Sequence, residues 1–269
     1  MAFINLAVCI ASCVFFEYIL RRMMKRPQTI SDLSAVVTGM LLGMNLPPTI
    51  NPLYGVIGSF VAIGIAKQLF GGIGQNFANP AIVGRIVLML SFTASMSTWC
   101  KPFYYLSGAD VVTGATPLVS NDADYLSLLL GTTGGCIGET CAIALIAGGI
   151  YLIAARIITP HAPAAFIGTV FLLTLIAGDD PIYAVLSGGL IIGAFFMATD
   201  YATTPLTGKG KIIFGIGCGL ITFAIRKFGN YPEGVSFSIL LMNLLVPYID
   251  RLCETKPVGA KAPEKEASK

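Results

Sequence analysis

The chain has 269 residues, of which 55% are hydrophobic and 12% are charged, and its formal net charge is +3. A soluble domain carries about 25% charged residues, so this composition excludes a soluble protein and indicates a polytopic membrane protein. The basic residues fall in short clusters between apolar segments and form no basic stripe. We therefore expect membrane lipid, and no nucleic acid, among the partners of this chain.

The first apolar segment, residues 2–20, contains one charged residue, Glu17, and is nearly long enough to cross a bilayer. A basic cluster follows it, made of Arg21, Arg22, Lys25 and Arg26. Because cytoplasmic loops carry an excess of Lys and Arg, this end of the segment is predicted to lie in the cytoplasm. That orientation places Met1 outside, so we expect a further helix before the first segment.

Two more segments and a break complete the first half. The second segment covers residues 32–46, where two prolines stop it, and the third covers residues 52–69. Residues 71–80 are rich in glycine and asparagine, and an apolar run follows over residues 81–99. Irregular backbone at membrane depth is tolerated only where protein or a cavity covers it, so this break is a candidate internal site. Counting crossings from the basic cluster places the polar loop, residues 101–125, on the outer face.

The second half divides into segments less clearly. Residues 126–138 contain four glycines and form either a re-entrant segment or the first part of a kinked helix. Apolar runs predict five more spans, at residues 141–158, 164–178, 182–198, 212–225 and 235–250. The lysine-rich residues 251–269 are predicted to form a disordered cytoplasmic tail.

The two halves resemble each other. Residues 37–43 are similar to residues 186–193, and residues 54–67 run beside residues 214–227 at a uniform offset of 160 positions. Matching hydropathy with matching interruptions indicates a repeated membrane fold with its site at the repeat interface, and chance similarity between glycine-rich helices is the alternative. We therefore divide the chain into one transmembrane domain, residues 1–250, with two related halves, about 30–125 and 126–250, joined near the polar loop.

Few ionisable groups lie at or near membrane depth. Glu17, Glu139 and Asp200 are candidates for the path of a transported ion, and helix capping or an interfacial salt bridge is the alternative for each. Arg85 lies inside an apolar span, where a buried cation must pair with an acid or another acceptor unless its side chain extends to the nearer face. The seven cysteines form no metal-binding pattern, and the single histidine, His161, sits in a connection. We therefore predict no metal site and no catalytic residue.

The polar loop contains the run Asp-Val-Val-Thr-Gly-Ala-Thr at residues 110–116. By residue type alone this is an ordinary connection, because Thr and Gly are common in turns. Gly114 and Ala115 leave the backbone unshielded, and they are predicted to present the Thr116 hydroxyl to water, where it could be modified covalently. The run resembles the acceptor motif at which a flavin transferase joins FMN, through its phosphate, to the last threonine. That resemblance makes Thr116 the acceptor, within an FMN acceptor motif that also includes Asp110, Thr113, Gly114 and Ala115.

Four separated motifs carry a wider resemblance. They are residues 67–76, residues 79–85, residues 187–200 and residues 228–243. In this order they resemble the family that contains the D subunit of the Rnf complex, an ion-translocating ferredoxin:NAD oxidoreductase, and the B subunit of the sodium-translocating NADH:quinone reductase. The similarity covers about residues 5–255. The family's usual first transmembrane helix has no counterpart here, and Phe77-Ala78-Asn79 stands where Pro-Phe-Asn is common.

This resemblance implies an all-α, inverted-repeat bundle like that of urea transporters, with broken or re-entrant helices. It implies a multi-pass subunit of the cell membrane that is not catalytic alone. By the same resemblance, this subunit carries covalent FMN at Thr116 and transfers electrons in a complex that pumps sodium ions or protons. Relatives also hold a noncovalent riboflavin, for which Asn76, Asn79 and Arg85 join the candidates for flavin binding. The expected partners are the flavin transferase and the Rnf subunits designated A, B, C, E and G, the last of which is the expected donor on the outer side. The alternative is a channel-like or transporter-like protein that conducts a small solute without a redox cofactor.

Overall fold

A computed structural model describes residues 1–100, 102, 113–114, 116–120, 123–229 and 233–254. Asp110 and Ala115 of the FMN acceptor motif, and the predicted tail beyond Glu254, therefore lie outside the described residues. For Thr113 and Gly114 only the backbone is described.

The described residues are mostly helical, as the sequence predicted. The helices are α1 (Ala2–Met23), α2 (Ser34–Met44), α3 (Pro52–Phe60, continued as a π-helix over Val61–Gln68), α4 (Pro80–Ser91), α5 (Thr93–Met96), α6 (Pro117–Ser120), α7 (Tyr125–Leu130), α8 (Ala142–Ala154), α9 (His161–Ile176), α10 (Pro181–Leu186), α11 (Leu190–Ile192, continued as a π-helix over Gly193–Met197), α12 (Gly208–Phe228) and α13 (Val235–Leu252). A 3₁₀ turn over Ile30–Asp32 precedes α2. Two short strands, β1 (Trp99–Cys100) and β2 (Thr113–Gly114), pair antiparallel.

Three of these helices, α1, α12 and α13, are long and apolar enough to cross a membrane. Each corresponds to one uninterrupted apolar run in the sequence, which is why the predicted spans agree with the observed helices. Shorter apolar helices accompany them, namely α2, α4, α8 and α9. The last helix continues to Leu252, so it includes the first two residues of the segment that was predicted as a tail. The architecture is that of a membrane protein.

Asparagine and aspartate side chains fix where three helices begin. The side-chain oxygens of Asn51, Asn79 and Asp180 each accept a hydrogen bond from the backbone amide two residues later, at 3.0 Å in every case. A proline follows each of them at the first helical position, where its missing N–H costs nothing. These caps set the starts of α3, α4 and α10.

The predicted span over residues 182–198 is broken in its middle. Helix α10 ends at Leu186, and the chain leaves the helical path at Ser187 and Gly188 before α11 begins. Gly188 has a φ of +67°, a backbone conformation that side chains with a Cβ rarely adopt. The break therefore requires glycine at this position.

The region predicted as a re-entrant segment or a kinked helix begins with the short helix α7. Irregular backbone follows from Gly131 to Cys141. Within it, the amide of Gly138 donates to the carbonyl of Met44 at 2.7 Å, so the end of α2 covers this segment. Such cover is what irregular backbone needs inside a membrane protein.

Contacts between chain segments define two ends of the helical bundle, which we call the basic end and the threonine end. At the basic end Arg26 Nη1 donates to the carbonyl of Gln68 at 2.8 Å and Lys211 Nζ donates to Thr159 Oγ1 at 3.0 Å. The basic residues in the segments of this end include Arg21, Arg22, Lys25, Arg26, Lys67, Arg156, Lys209, Lys211 and Arg251.

At the threonine end, Asn5 Nδ2 donates to the carbonyls of Pro48 and Ile50 at 3.1 and 3.0 Å. Strands β1 and β2 pair there, and the Tyr183 hydroxyl donates to the carbonyl of Pro117 at 2.7 Å, beside Thr116. Helix α1 runs from the threonine end to the basic end, and α12 runs in the opposite direction. Thr116 and the basic cluster therefore lie at different ends of the bundle.

The largest apolar cluster joins helices from both halves of the chain. It includes Leu42 and Ile82 from the first half and Phe166, Phe214 and Ile239 from the second, all of them buried. Helix α9 packs along α12, and α4 packs against α13. The charged residue of α4, Arg85, is buried in the interior.

Candidate functional site

The interior holds a group of polar side chains that we call the Arg85 network, formed by Arg85, Asn45, Cys136, Glu139 and Glu233. The Arg85 side chain is 2% exposed, and its Nη1 donates to Asn45 Oδ1 at 2.5 Å. Its Nη2 donates to Glu139 Oε1 at 3.0 Å and forms an ion pair with Glu233. Cys136 Sγ lies 3.6 Å from the same nitrogen. One guanidinium group thus faces two carboxylates and a thiol.

Four separate segments supply the Arg85 network. Asn45 directly follows α2, and Arg85 lies in the middle of α4. Cys136 and Glu139 lie in the irregular backbone after α7, and Glu233 lies two residues before the start of α13. All five residues are buried, and a buried charge is costly unless it is paired. Of the two possibilities that the sequence left open for Arg85, the structure shows pairing with acids and not extension to the membrane face.

Another guanidinium group contributes to the electrostatics of the network. Arg226, near the end of α12, is attracted by the carboxylates of both Glu139 and Glu233. Glu233 Oε1 makes no hydrogen bond within the described part of the chain. Glu233 is not among the site residues predicted from the sequence, because it lies in a connection between two spans. The available signal was that Arg85 needed an acid and that Glu233 is the acid between the last two apolar runs.

The Thr116 side chain is 4% exposed, whereas the sequence predicted a hydroxyl presented to water. Pro117 starts the short helix α6, which packs against α10 and the break that follows it. The Tyr183 hydroxyl donates to the Pro117 carbonyl, and Leu118 lies against Gly188. Thr116 consequently lines a cavity of about 10 Å³ together with Glu139, Glu233 and Gly188. The structure therefore brings the predicted FMN acceptor next to the carboxylates of the Arg85 network.

A larger cavity of about 420 Å³ lies at the same end, and its lining includes Leu118, Tyr183, Ser187, Phe223 and Arg226. We call it the ring cavity. Leu118 lines both cavities and is their shared wall. Arg226 also lines the ring cavity, and it donates to the carbonyls of Ala184 at 2.6 Å and Ser187 at 3.3 Å. The ring cavity is bounded by residues of α6, α9, α10 and α12.

The predicted flavin ligands Asn76 and Asn79 have different surroundings. Asn79 caps α4, and its Nδ2 donates to the carbonyl of Met197 at 3.2 Å. The Sδ of Met197 lies 3.6 Å from Asn45 Nδ2, so Asn79 is linked to the Arg85 network through Met197. Asn76 donates to the carbonyl of Ala78 at 3.2 Å and lies outside that network.

Two of the three candidates for an ion path are not part of the Arg85 network. Glu17 is fully buried and pairs with Lys67 Nζ at 2.7 Å, and it also accepts a hydrogen bond from Thr29 Oγ1 at 2.9 Å. Asp200 accepts from Thr203 Oγ1 at 3.1 Å in the turn after α11. Of the predicted residues, the structure therefore brings together Arg85, Glu139 and Thr116, with Asn79 linked to them, and leaves Glu17, Asp200 and Asn76 elsewhere.

The model of the NQR2, RnfD, RnfE family matches residues 1–259. The chain belongs to this family. The D subunit of the Na(+)-translocating ferredoxin:NAD(+) oxidoreductase complex of Acetobacterium woodii is 46% identical over 270 residues, which cover 97% of this chain and 84% of the relative. The D subunit of the proton-translocating ferredoxin:NAD(+) oxidoreductase complex of Clostridium ljungdahlii is also 46% identical, over 274 residues that cover 94% of this chain and 82% of the relative.

A third member of the NQR2, RnfD, RnfE family, the D subunit of the ion-translocating oxidoreductase complex of Stutzerimonas stutzeri, is 38% identical over 295 residues. That similarity covers 94% of this chain and 82% of the relative. The family resemblance predicted from the four sequence motifs is confirmed. The two relatives that are equally similar to this chain are named for different ions, so overall identity does not select sodium or protons.

Proposed function

We propose that this chain is a membrane electron-transfer subunit of an ion-translocating ferredoxin:NAD oxidoreductase (Rnf) complex and that it carries FMN covalently on Thr116. The observation that carries the proposal is the 46% identity, over nearly the whole chain, to two proteins named as the D subunits of such complexes. The run at residues 110–116, which matches the FMN acceptor motif, supports the assignment of Thr116. The subunit acts only within the complex, whose other members A, B, C, E and G are its partners.

The residues near Thr116 suit a flavin nucleotide in their chemistry. Arg226 and Arg85 supply positive charge beside the carboxylates, and guanidinium groups are well suited to phosphate and to electron-rich ring edges. The cavity that Thr116 lines measures about 10 Å³, so the α6 segment must move outward for the hydroxyl to receive FMN. When bound, the flavin supplies the electron-transfer chemistry, and the protein sets its position and its potential.

We further propose that the threonine end faces the outside of the cell membrane. The support is the charge distribution, because Arg21, Lys25, Lys209 and Arg251 belong to segments of the opposite end, and cytoplasmic segments are enriched in Lys and Arg. The flavin transferase would then meet Thr116 on the outer side. A noncovalent riboflavin, for which Asn79 is a candidate ligand, and an inverted repeat of the two halves are further parts of this proposal.

The matching order of elements supports the repeat. Helix α1, together with α3 and α4 of the first half, corresponds in position to α9, α12 and α13 of the second half at an offset near 160 residues. The shorter helix α2 corresponds to the broken helix formed by α10 and α11.

The covalent flavin can be tested on the protein produced together with its flavin transferase. We expect a fluorescent band on a denaturing gel and, by mass spectrometry, an added FMN on the peptide that contains Thr116. Thr116→Ala should abolish both signals. Thr98→Ala is the matched control, because Thr98 is an exposed residue near the same end whose hydroxyl donates to the Ala94 carbonyl, and it should leave both signals unchanged. A nonfluorescent wild-type chain would refute the proposal.

The role in electron transfer needs the whole complex. We expect Thr116→Ala to assemble normally and to abolish NAD reduction driven by reduced ferredoxin. Normal turnover in the assembled variant would contradict the assigned route. Ion flux measured in vesicles with sodium omitted or added then decides between sodium and proton coupling, because only sodium coupling requires added sodium.

A further inference from the structure

The ring cavity has the properties of a ligand site. Its volume of about 420 Å³ lies within the range of roughly 300 to 1,000 Å³ that is typical of small-molecule sites. Val170 of α9 and Phe223 of α12 contribute apolar wall, and Leu118 separates the cavity from Thr116. A cavity of this size and lining can hold a planar aromatic ring.

Two residues that line this cavity each carry a buried polar atom with no partner within the described part of the chain. Ser187 is fully buried, and its Oγ makes no hydrogen bond. The buried Nε of Arg226 makes none either, although the two terminal nitrogens of that side chain bond backbone carbonyls. Buried polar groups in proteins almost always have a partner, so each exception requires an explanation. Both atoms are donors, and a ligand with acceptor atoms would satisfy them.

The other polar side chains of the ring cavity already have partners. The hydroxyl of Thr174 donates to the carbonyl of Val170 at 2.8 Å. Asp179 pairs with Lys227 Nζ at 2.5 Å, and Asp180 caps α10. The unsatisfied donors are therefore specific to Ser187 and Arg226 and are not a general feature of the cavity wall.

The ring cavity adjoins the segment that carries Thr116. Tyr183, which lines the cavity, bonds the carbonyl of Pro117, and Leu118 is the wall between the two cavities. A group attached at Thr116 can therefore enter the ring cavity once the short helix α6 turns outward, and Leu118 is the side chain that it must displace.

We propose that the ring cavity is the seat of the isoalloxazine ring of the FMN carried by Thr116, and that Ser187 and Arg226 donate to the acceptor edge of that ring. This inference rests on the proposed function and names the residues that hold the ring. The flavin ring has carbonyl oxygens and ring nitrogens along one edge, and reduction increases its negative charge. A guanidinium group beside that edge stabilises the reduced form, so Arg226 is a positioning residue that raises the flavin's midpoint potential.

The test uses three variants of the purified, flavin-loaded subunit. Arg226→Gln removes the charge, Ser187→Ala removes only the unsatisfied hydroxyl, and Thr174→Val is the matched control, which removes a hydroxyl that already has a partner in the same wall. Gel fluorescence measures attachment at Thr116, and spectroelectrochemical titration measures the midpoint potential of the attached flavin.

We expect all three variants to carry as much covalent flavin as the wild type. Arg226→Gln should shift the equilibrium away from the reduced flavin by at least tenfold, which is about 30 mV for a two-electron couple. Ser187→Ala should shift it in the same direction by less, and Thr174→Val should leave it unchanged. Because Arg226 also bonds two carbonyls, Ser187→Ala keeps the test decisive if Arg226→Gln does not fold.

The outcomes separate the two proposals. A wild-type chain without covalent flavin refutes the proposed function, and it therefore also refutes the proposed site of the isoalloxazine ring. A flavin-loaded chain whose potential and visible spectrum are the same in the wild type, Ser187→Ala and Arg226→Gln refutes the ring site alone. An equal shift in Thr174→Val also refutes it, because the effect would then be a general disturbance of the cavity.

Discussion

Replacing Arg85 by methionine should destabilise the protein strongly. The substitution leaves the carboxylates of Glu139 and Glu233, which are 7% and 3% exposed, facing each other without the guanidinium between them. Removing one partner of a buried ion pair costs about 3 to 5 kcal/mol. With a shift of roughly 2 to 4 °C per kcal/mol for a chain of this size, the unfolding midpoint should fall by roughly 6 to 20 °C.

The assay is thermal unfolding in one detergent, followed by far-UV circular dichroism. The matched variant combines Arg85→Met with Glu139→Gln and Glu233→Gln, so that no charge of these three groups remains buried. Replacing a whole buried ion-pair group by neutral residues is often nearly neutral, so most of the lost stability should return. An unchanged midpoint in Arg85→Met, or a triple variant no more stable than the single one, would show that the network is not held together as we describe.

Two further substitutions test local features of the threonine end. Gly188→Ala should lower the unfolding midpoint by the equivalent of about 1 to 3 kcal/mol, because the φ of +67° strains an alanine and its Cβ would lie 2.5 Å from Leu118 Cδ1. Gly168→Ala, whose added methyl meets no atom within 4 Å, is the control and should not lower it. The Tyr125 hydroxyl donates to Asp180 and is the main cause that holds the pKa of this carboxyl below its usual value. A carboxylate with a lowered pKa adds stability above its unfolded pKa, and this stability is lost as the pH falls through the folded pKa. Tyr125→Phe brings the folded pKa closer to the unfolded one, so in melts between about pH 2 and 5 the variant should lose less stability than the wild type and should complete the loss at a higher pH. Identical pH profiles for the two proteins would contradict this role.

The long helices could be predicted from the sequence, but the break at Ser187 and Gly188 could not. Helices α1, α12 and α13 are continuous apolar runs, and such runs mark membrane spans by length alone. The run over residues 182–198 is just as apolar, but it contains the break at Ser187 and Gly188. Glycine is also frequent inside membrane helices, so its presence does not show where a helix stops. At this break Gly188 lies against Leu118, which is 70 positions away in the sequence.

The site was predictable in its chemistry but not in its partners. A buried arginine in an apolar span requires acids, and this requirement can be derived from Arg85 alone. Its actual partners, Glu139 and Glu233, are 54 and 148 residues away in the sequence. The burial of Thr116 likewise follows from tertiary contacts of the short helix α6, whereas the composition of the polar loop favoured exposure to water. Local sequence contains no information about such long-range contacts.

The charges around Thr116 suit a fixed environment for a flavin better than a sodium site. Two guanidinium groups, those of Arg85 and Arg226, face the two carboxyl groups of Glu139 and Glu233. A sodium ion would have to displace a guanidinium from both carboxylates. A phosphate ester at Thr116 would instead add negative charge beside the arginines, and Arg226 has an unused donor for it or for the attached ring. We therefore expect the transported ion to bind away from this network, with the network setting the potential at which the subunit passes electrons.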